Sequence, residues 1–228
     1  MDLSRSEAVL GDLSTLKSSH VAVFGLGGVG GSAAEALVRA GVGELTIVDG
    51  DVVCPSNINR QIIALSTNVG EKKVDAMEKR LLAINPDLVL HKYDLFFLPE
   101  NADAISFDQF DFVLDAVDTV TAKLTLASIV GDKLICCLGT GNRIDPTAFR
   151  VGDVYETSYC PLARVMRREL RKRGINRLRV VYSTEEPIKG QRTPGSVSFV
   201  PPVAGMIMAG EAIKALLKSK RCQKNSNT

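Results

Sequence analysis

The run GLGGVG, Gly25 to Gly30, comes directly after the short apolar stretch His20 to Phe24 and constrains this chain more than any other feature. A five-residue apolar run that ends at glycine reads as a buried parallel strand. Ser32 to Ala40, rich in alanine and leucine, without proline and closed by Gly41, reads as a helix. Gly25, Gly27 and Gly30 therefore form G-x-G-x-x-G at a strand-to-helix turn, with Gly28 added. The first glycine permits the tight turn, the second lets backbone approach a phosphate, and the third allows close helix–strand packing. A phosphate then meets free N–H groups at the positive end of a helix dipole. Asp49, at the end of the next strand (Glu44 to Val48), is placed to accept hydrogen bonds from a ribose. A glycine turn used only for packing is the plainer alternative, but strand, helix and acid all stand in register.

The rest of the chain continues the alternation. Val74, Met77, Leu81 and Ile84 repeat at helical spacing until Asn85 and Pro86. Leu88 to Tyr93, Phe110 to Leu114 and Leu134 to Leu138 read as further strands, and Asp115 ends the second of these. The expected class is α/β: a Rossmann-like, doubly wound, mainly parallel sheet. In the C-terminal third the pattern changes. Ala148 to Tyr155, Arg179 to Thr184 and Ser196 to Val200 read as shorter appended strands, antiparallel to the sheet. A basic helix, Leu162 to Lys172, lies between the first two, and a last helix runs from about Val203 to Leu217. No linker divides the sequence, so residues 1–228 are expected to form one domain with a flexible tail after about 218.

Composition excludes several classes. A net charge of +2 is too small by itself to point to nucleic acid or an anionic membrane. The five cysteines include no C-x-x-C pair, which speaks against a zinc ribbon and a disulfide framework. The start is acidic and polar, unlike a signal peptide. The longest apolar stretch, Val203 to Leu217, is interrupted by Glu211 and Lys214, so no membrane span and a reducing cytoplasm are expected.

The glycine loop and Asp49 fit NAD as well as ATP; the residues beyond Asp49 separate the two. A triphosphate carries more charge than a dinucleotide and releases pyrophosphate, so it gains from fixed cations that tighten as charge builds up. Arg60, in Asn57-Ile58-Asn59-Arg60-Gln61, and Lys73, thirteen residues later at a helix start, are suited to this. Asp118, just beyond the fourth strand, is suited to hold Mg²⁺. Each has a plainer reading alone: Asn57 and Asn59 as loop caps, Lys73 as a solvated helix residue, Asp118 as a helix N-cap. Taken jointly with the glycine loop, the functional reading is preferred.

The set GLGGVG, VDGD, NINRQ, GEKKV and DAVDT resembles the ATP site of the ubiquitin-activating-enzyme-like superfamily. That resemblance implies Gly27 at the nucleotide, Asp49 on the ribose, Asn57, Arg60 and Lys73 on phosphates, and Asp118 on magnesium. Gly25, Gly28, Gly30, Asp51 and Gln61, in the same motifs, complete the implied nucleotide-binding set. It also implies a homodimer in which Arg5 reaches into the partner's site, with Arg5, Arg60, Lys73 and Asp118 as the catalytic group. The small residues Ala204, Gly205, Ala209 and Gly210 would let the last helix pack closely against another surface, a second ground for a dimer. INRQIIAL, CPLARVMRRELRKRGI, VYSTEEP and GSVSFVPPVAGMIMAGEAIKALL are similar to the tRNA threonylcarbamoyladenosine dehydratase family, over about Arg5 to Leu217. Membership implies ATP- and Mg²⁺-dependent adenylation of the threonyl carboxylate of the modified adenosine, then cyclisation with loss of water. The alternative is adenylation of the C-terminus of a small sulfur-carrier or ubiquitin-like protein, with a cysteine-desulfurase-linked protein as an associated partner.

Two features remain. Cys160 precedes Pro161 at a helix start, where the dipole would lower a thiol's pKa, and superfamily members that charge ubiquitin-like proteins use a cysteine. Ring closure needs no thioester, so a capping or buried thiol is the preferred reading. Arg164, Arg167, Arg168, Arg171, Lys172 and Arg173 are opposed only by Glu169. Such a run is a solvated face or, with a tRNA substrate implied, a surface for phosphate contact; it lacks the interleaved aromatics of base readers.

Overall fold

The computed structural model describes residues 1–189 and 194–225, with side chains through Ser219. Its centre is a seven-stranded sheet in the order β3-β2-β1-β4-β5-β7-β6. The strands are β1 (His20–Phe24), β2 (Glu44–Val48), β3 (Val89–Tyr93), β4 (Phe112–Asp115), β5 (Leu134–Cys137), β6 (Phe149–Asp153) and β7 (Arg179–Ser183). The helices are α1 (Ser4–Leu10), α2 (Ser14–Lys17), α3 (Gly30–Arg39), α4 (Lys73–Ile84), α5 (Val120–Val130), α6 (Pro161–Lys172) and α7 (Pro201–Asn225).

The mainly parallel, doubly wound sheet arises from where the apolar residues lie. Every residue of β1 is buried, as expected of a parallel strand covered on both faces. Val21, Val23, Leu45 and Ile47 face α3, α4 and α7, where Leu37, Met77 and Met208 complete one core layer. Ala22, Phe24 and Val48 face the other way, against α5 and α6, with Leu126, Met166 and Leu170. The edge strand β3 is mostly exposed and carries His91 and Lys92, charged or polar residues that discourage edge pairing.

The C-terminal third departs from the expected arrangement. β7 runs parallel to β5, and only β6, which closes the sheet against β7, is antiparallel. Ser196 to Val200 forms no strand; this stretch is irregular and ends in a turn at Phe199, leading into α7 at Pro201. Pro201 and Pro202 fix the chain for a helix start, and their missing N–H groups cost nothing in its first turn. The last helix starts at Pro201, just before its apolar repeat, and runs past it to Asn225, where neither glycine nor proline comes after Gly210 to stop it.

Three of the four small residues of α7, Ala204, Gly205 and Ala209, are used inside the chain. A Cβ built on Gly205 would stand 2.1 Å from the Val29 carbonyl oxygen, so α7 lies with its backbone against the start of α3. Ala204 and Ala209 are buried in the same layer. Close packing at Ala204, Gly205 and Ala209 is therefore directed inside the chain, with Gly205 against α3, whereas Gly210 has open space about its Cβ position.

Candidate active site

The strand order reverses between β1 and β4, and there the loops beyond the two strands diverge and leave a crevice. A cavity of about 410 Å³ occupies it. Its floor is the glycine loop. Gly25 holds φ +86°, and a Cβ there would meet the Ala116 carbonyl oxygen at 2.8 Å. A Cβ on Gly30 would lie 1.7 Å from the Gly25 carbonyl oxygen. Only glycine allows this turn, and it seats the start of α3 at the cavity. Gly27 differs: its Cβ position meets only Gln61 at 3.8 Å, so its backbone is open to a ligand.

Gly25, Gly27, Gly28, Asp49, Asp51, Asn57, Arg60, Gln61, Lys73 and Asp118 all line this cavity. Gly30 lies buried just behind the floor. Asp49 ends β2, and its carboxylate accepts the backbone N–H groups of Leu26 at 2.6 Å and Asp51 at 2.8 Å, which ties the glycine loop to the neighbouring strand. Its side chain is nearly buried yet retains acceptor capacity toward the cavity.

Lys73 is no solvated helix residue. A single bridge between Val52 and Lys72, with the Lys73 N–H donating to the Asp51 carbonyl, sets the first turn of α4 against the loop after β2. The Lys73 side chain is 6% exposed, and its Nζ sits 2.6 Å from Asp51 Oδ2 and 3.9 Å from Asp49 Oδ1. Arg60 is anchored by its Nη1 on the Ser56 carbonyl and on Asn59 Oδ1, both at 2.8 Å. Asn57 accepts the Cys54 N–H at 3.0 Å, so its capping role and its place on the cavity wall coexist. Asp118 precedes Thr119, the residue that caps α5, so it is not the N-cap. Its exposed carboxylate, on the cavity wall, takes only a 3.4 Å contact from the Thr119 hydroxyl.

Several wall residues had gone unread in the sequence. Leu95, Phe97 and Leu98, after β3, form an apolar side. Thr140 and Gly141, after β5, face Pro194, Gly195 and Ser196 across the mouth. Asn142, at φ +58°, fastens that second segment: its N–H donates to the Gly195 carbonyl at 2.8 Å and its Oδ1 accepts the Gly195 N–H at 2.6 Å. Asn59 Nδ2 donates to the Ser196 carbonyl from the other side. Beneath β4, Lys123 is fully buried, 3.1 Å from Asp115 Oδ1 and 2.7 Å from the Cys137 carbonyl. Asp115 also accepts the Val117 N–H at 3.2 Å, which links this buried pair to the segment bearing Asp118.

Other expected residues lie elsewhere. Arg5 is exposed on α1 and does not line this cavity. Cys160 stands at the N-cap position of α6 without a side-chain capping hydrogen bond, buried behind the Gly139–Gly141 loop, with its Sγ 3.7 Å from the Cβ position of Gly139. The neighbouring Arg143 is also buried and donates from Nε to the Gly139 carbonyl. Cys136 and Cys137 are core thiols; burial pushes the Cys137 thiol up to about 12. Arg164, Arg168, Arg171 and Lys172 on α6, and Arg173 just after it, are exposed, whereas Arg167 turns back onto the Thr157 carbonyl and hydroxyl. The Arg171 guanidinium lies 5.1 Å from the centre of the Tyr155 ring. Among the described residues no helix is long and apolar enough to cross a membrane.

Comparison with known proteins agrees with this architecture. The ThiF family model matches residues 3–228. A tRNA threonylcarbamoyladenosine dehydratase of Bacillus subtilis (strain 168) is 40% identical over 94% of both chains. That of Haemophilus influenzae is 36% identical over 80% of this chain and 74% of its own. The crystal structure of E. coli tRNA N6-threonylcarbamoyladenosine dehydratase in complex with ATP superposes with a TM-score of 0.88 at 32% identity, covering 97% of this chain and 96% of that one. By sequence over nearly its whole length, and by a fold that brings its glycine loop, cations and acids to one crevice, the chain belongs to the ThiF family and, within it, to the tRNA threonylcarbamoyladenosine dehydratases.

Proposed function

We propose that this chain binds ATP in the crevice between β1 and β4 and uses it to adenylate the threonyl carboxylate of threonylcarbamoyladenosine in tRNA, which then cyclises with loss of water. The observation that carries this reading is the convergence of Arg60, Lys73 and Asp118 on the glycine loop. A NAD enzyme leaves those three unexplained.

The cavity suits the nucleotide. The open backbone at Gly27 and the start of α3 offer N–H groups to phosphate. Gln61 Oε1 is buried without a partner, an acceptor that a ligand hydroxyl or amine would satisfy. Leu95, Phe97 and Leu98 supply an apolar wall for a base, and Asp49 can accept from a ribose. Asp118 fits magnesium, a hard cation that takes one or two carboxylates together with substrate phosphates. Magnesium held there supplies Lewis acidity to the phosphate oxygens.

The chemistry is set by placement. The substrate carboxylate attacks the α-phosphorus and pyrophosphate leaves; Arg60 and Lys73 stabilise the charge gathering on it. Lys73 must loosen its 2.6 Å contact with Asp51 to do so, and Asp51 holds the ammonium in place until the phosphates arrive. The ureido group of the substrate then closes on the activated carbonyl. AMP departs with the carboxylate oxygen, so the net loss from tRNA is one water. Closure within one molecule needs orientation more than a further nucleophile, which leaves Cys160 without a chemical task. The basic face of α6 starts beside the Gly139–Gly141 loop at the cavity mouth and would hold the tRNA backbone.

The test is incubation with ATP, Mg²⁺ and tRNA bearing threonylcarbamoyladenosine. AMP, pyrophosphate and a nucleoside lighter by one water are expected. Asp118→Ala, and Lys73→Met, which keeps the buried stem, are each expected to slow pyrophosphate release about a hundred- to thousandfold, the usual cost of one donor at a developing anion. Unmodified tRNA beside an adenylated carrier-protein C-terminus would overturn the tRNA assignment and keep the adenylation.

A further inference from the structure

We propose that His20, Glu44 and His91 form a binding site for a zinc-type divalent transition metal at the opposite end of the sheet from the nucleotide cavity. The chain has two histidines, and the fold brings both to one carboxylate. His20 opens β1 and Glu44 opens β2, paired with each other in register. On β3, Val89 pairs with Glu44 and His91 pairs with Thr46. Because side chains alternate along a strand, His20, Glu44, Thr46 and His91 share one face of the sheet. Their ligand atoms, one from each histidine and one from Glu44, lie within 4.8 Å of one another.

The distances favour a cation at their centre. His20 Nδ1 stands 3.4 Å from Glu44 Oε1, beyond the usual N–H···O range of about 2.7–3.2 Å. Ligands on a tetrahedral zinc ion with arms of about 2.0–2.1 Å stand about 3.3–3.4 Å apart. His91 Nε2 approaches the same oxygen to 2.8 Å, and a small rotation of its half-exposed ring opens that contact to the same spacing. On its far side, His20 Nε2 meets the buried Thr46 hydroxyl at 2.8 Å, and Phe110 packs edge-on against the ring. Such an outer partner orients a metal-bound imidazole and fixes which nitrogen is free. Asp111 Oδ2 accepts the His20 backbone N–H at 2.9 Å, which fixes the start of β1 beside the site.

Two imidazoles and one carboxylate select zinc and its neighbours over magnesium or calcium, which prefer oxygen throughout. Glu44 and His91 are partly exposed, which gives an entry path and leaves a fourth position for water. An ion here would tie three adjacent strands together, the exposed edge strand β3 included. It stands apart from the adenylation chemistry.

Protein stripped with a chelator would be titrated with Zn²⁺ by calorimetry and with Co²⁺ by visible absorption. One equivalent is expected to saturate, with the d–d bands of a tetrahedral ion and a higher melting temperature. His91→Ala and Glu44→Gln should each abolish that equivalent, and Thr46→Val should weaken it about 10–100-fold. Cys54→Ser, at the exposed thiol, should leave it unchanged. AMP release should be the same in His91→Ala as in the parent. An absent equivalent, one that survives His91→Ala, or one that disappears in Cys54→Ser would overturn the site.

Discussion

Replacing Lys123 by methionine tests how the fold holds its catalytic edge. The side chain is wholly buried, with Nζ 2.7 Å from the Cys137 carbonyl, 3.1 Å from Asp115 Oδ1 and 3.4 Å from Cys136 Sγ. Burial works against the ammonium, but the Asp115 carboxylate holds its pKa above the ordinary lysine range. At this separation and an effective dielectric of about 20 the attraction is about 5 kcal/mol. Methionine keeps the stem, removes the charge and strands Asp115, whose Oδ2 already lacks a partner. Breaking a buried pair in this way costs about 3–5 kcal/mol. In a chain of this size that lowers the melting temperature by about 6–20 °C. The double variant Lys123→Met/Asp115→Asn leaves no stranded charge and should recover most of the loss in a urea or thermal melt. The Asp115 carboxylate also receives the Val117 N–H, so the folded single variant should release pyrophosphate more slowly, with Asp118 misplaced. A single variant within about 1 kcal/mol of the parent, or a double variant no more stable than the single, would refute the reasoning.

On α6, Arg164→Glu and Arg168→Glu should weaken tRNA binding and flatten its salt dependence, by about 0.9 in the log–log slope for each phosphate no longer neutralised. Arg167→Ala should instead lower stability by about 1–3 kcal/mol, since it takes away the donor to the Thr157 carbonyl, as a urea melt would show. Light scattering is expected to give twice 24.5 kDa, and Arg5→Ala should slow turnover without changing that mass. Glu35 is buried at 8% exposure between Arg39 and Arg80; burial raises its pKa, but those two guanidinium groups hold it below the usual carboxylate value. Its contribution to stability is therefore complete above about pH 4.3, the unfolded value, and is lost as pH falls through the lower folded value. Glu35→Gln should flatten the acid limb of a stability–pH curve.

Where one physical signal dominated, the fold was legible in the sequence. The parallel strands β1, β2, β4 and β5 are short apolar runs with punctuation, and burial on both faces is what such runs record. The helix α5 was missed because Val120 to Val130 is apolar nearly all round, with Lys123 as its lone charge, so it shows no one-sided stripe. Strand direction was misread at β7, since VVY alternates neither more nor less when its neighbour is parallel. Ser196 to Val200 carries strand-like residues, but Asn59 holds Ser196 at the cavity, Asn142 holds the preceding Gly195, and Val200 turns into the core, contacts that no side-chain pattern records.

The candidate site divides along the same line. Glycines at fixed offsets and acids at strand ends are local signals, and the residues they marked meet in one crevice. What they could not carry is partnership across the sequence. Lys73 reads locally as a surface lysine because its burial depends on Asp49 and Asp51, two dozen residues away across a loop. The α6 arginines read as one basic face, yet Arg167 is spent on Thr157 and Arg171 is drawn to Tyr155. The small residues of α7 show that a close approach is made but not to what, and α3 supplies the answer. In each case the chemistry was written in the residue and its availability in the contacts, so a charge or small side chain becomes evidence for a ligand or partner only after the fold's own claims on it are subtracted. Arg60, Asp118 and the open backbone at Gly27 retain capacity toward the cavity after that subtraction, and in the adenylation reading Lys73 joins them once it leaves Asp51.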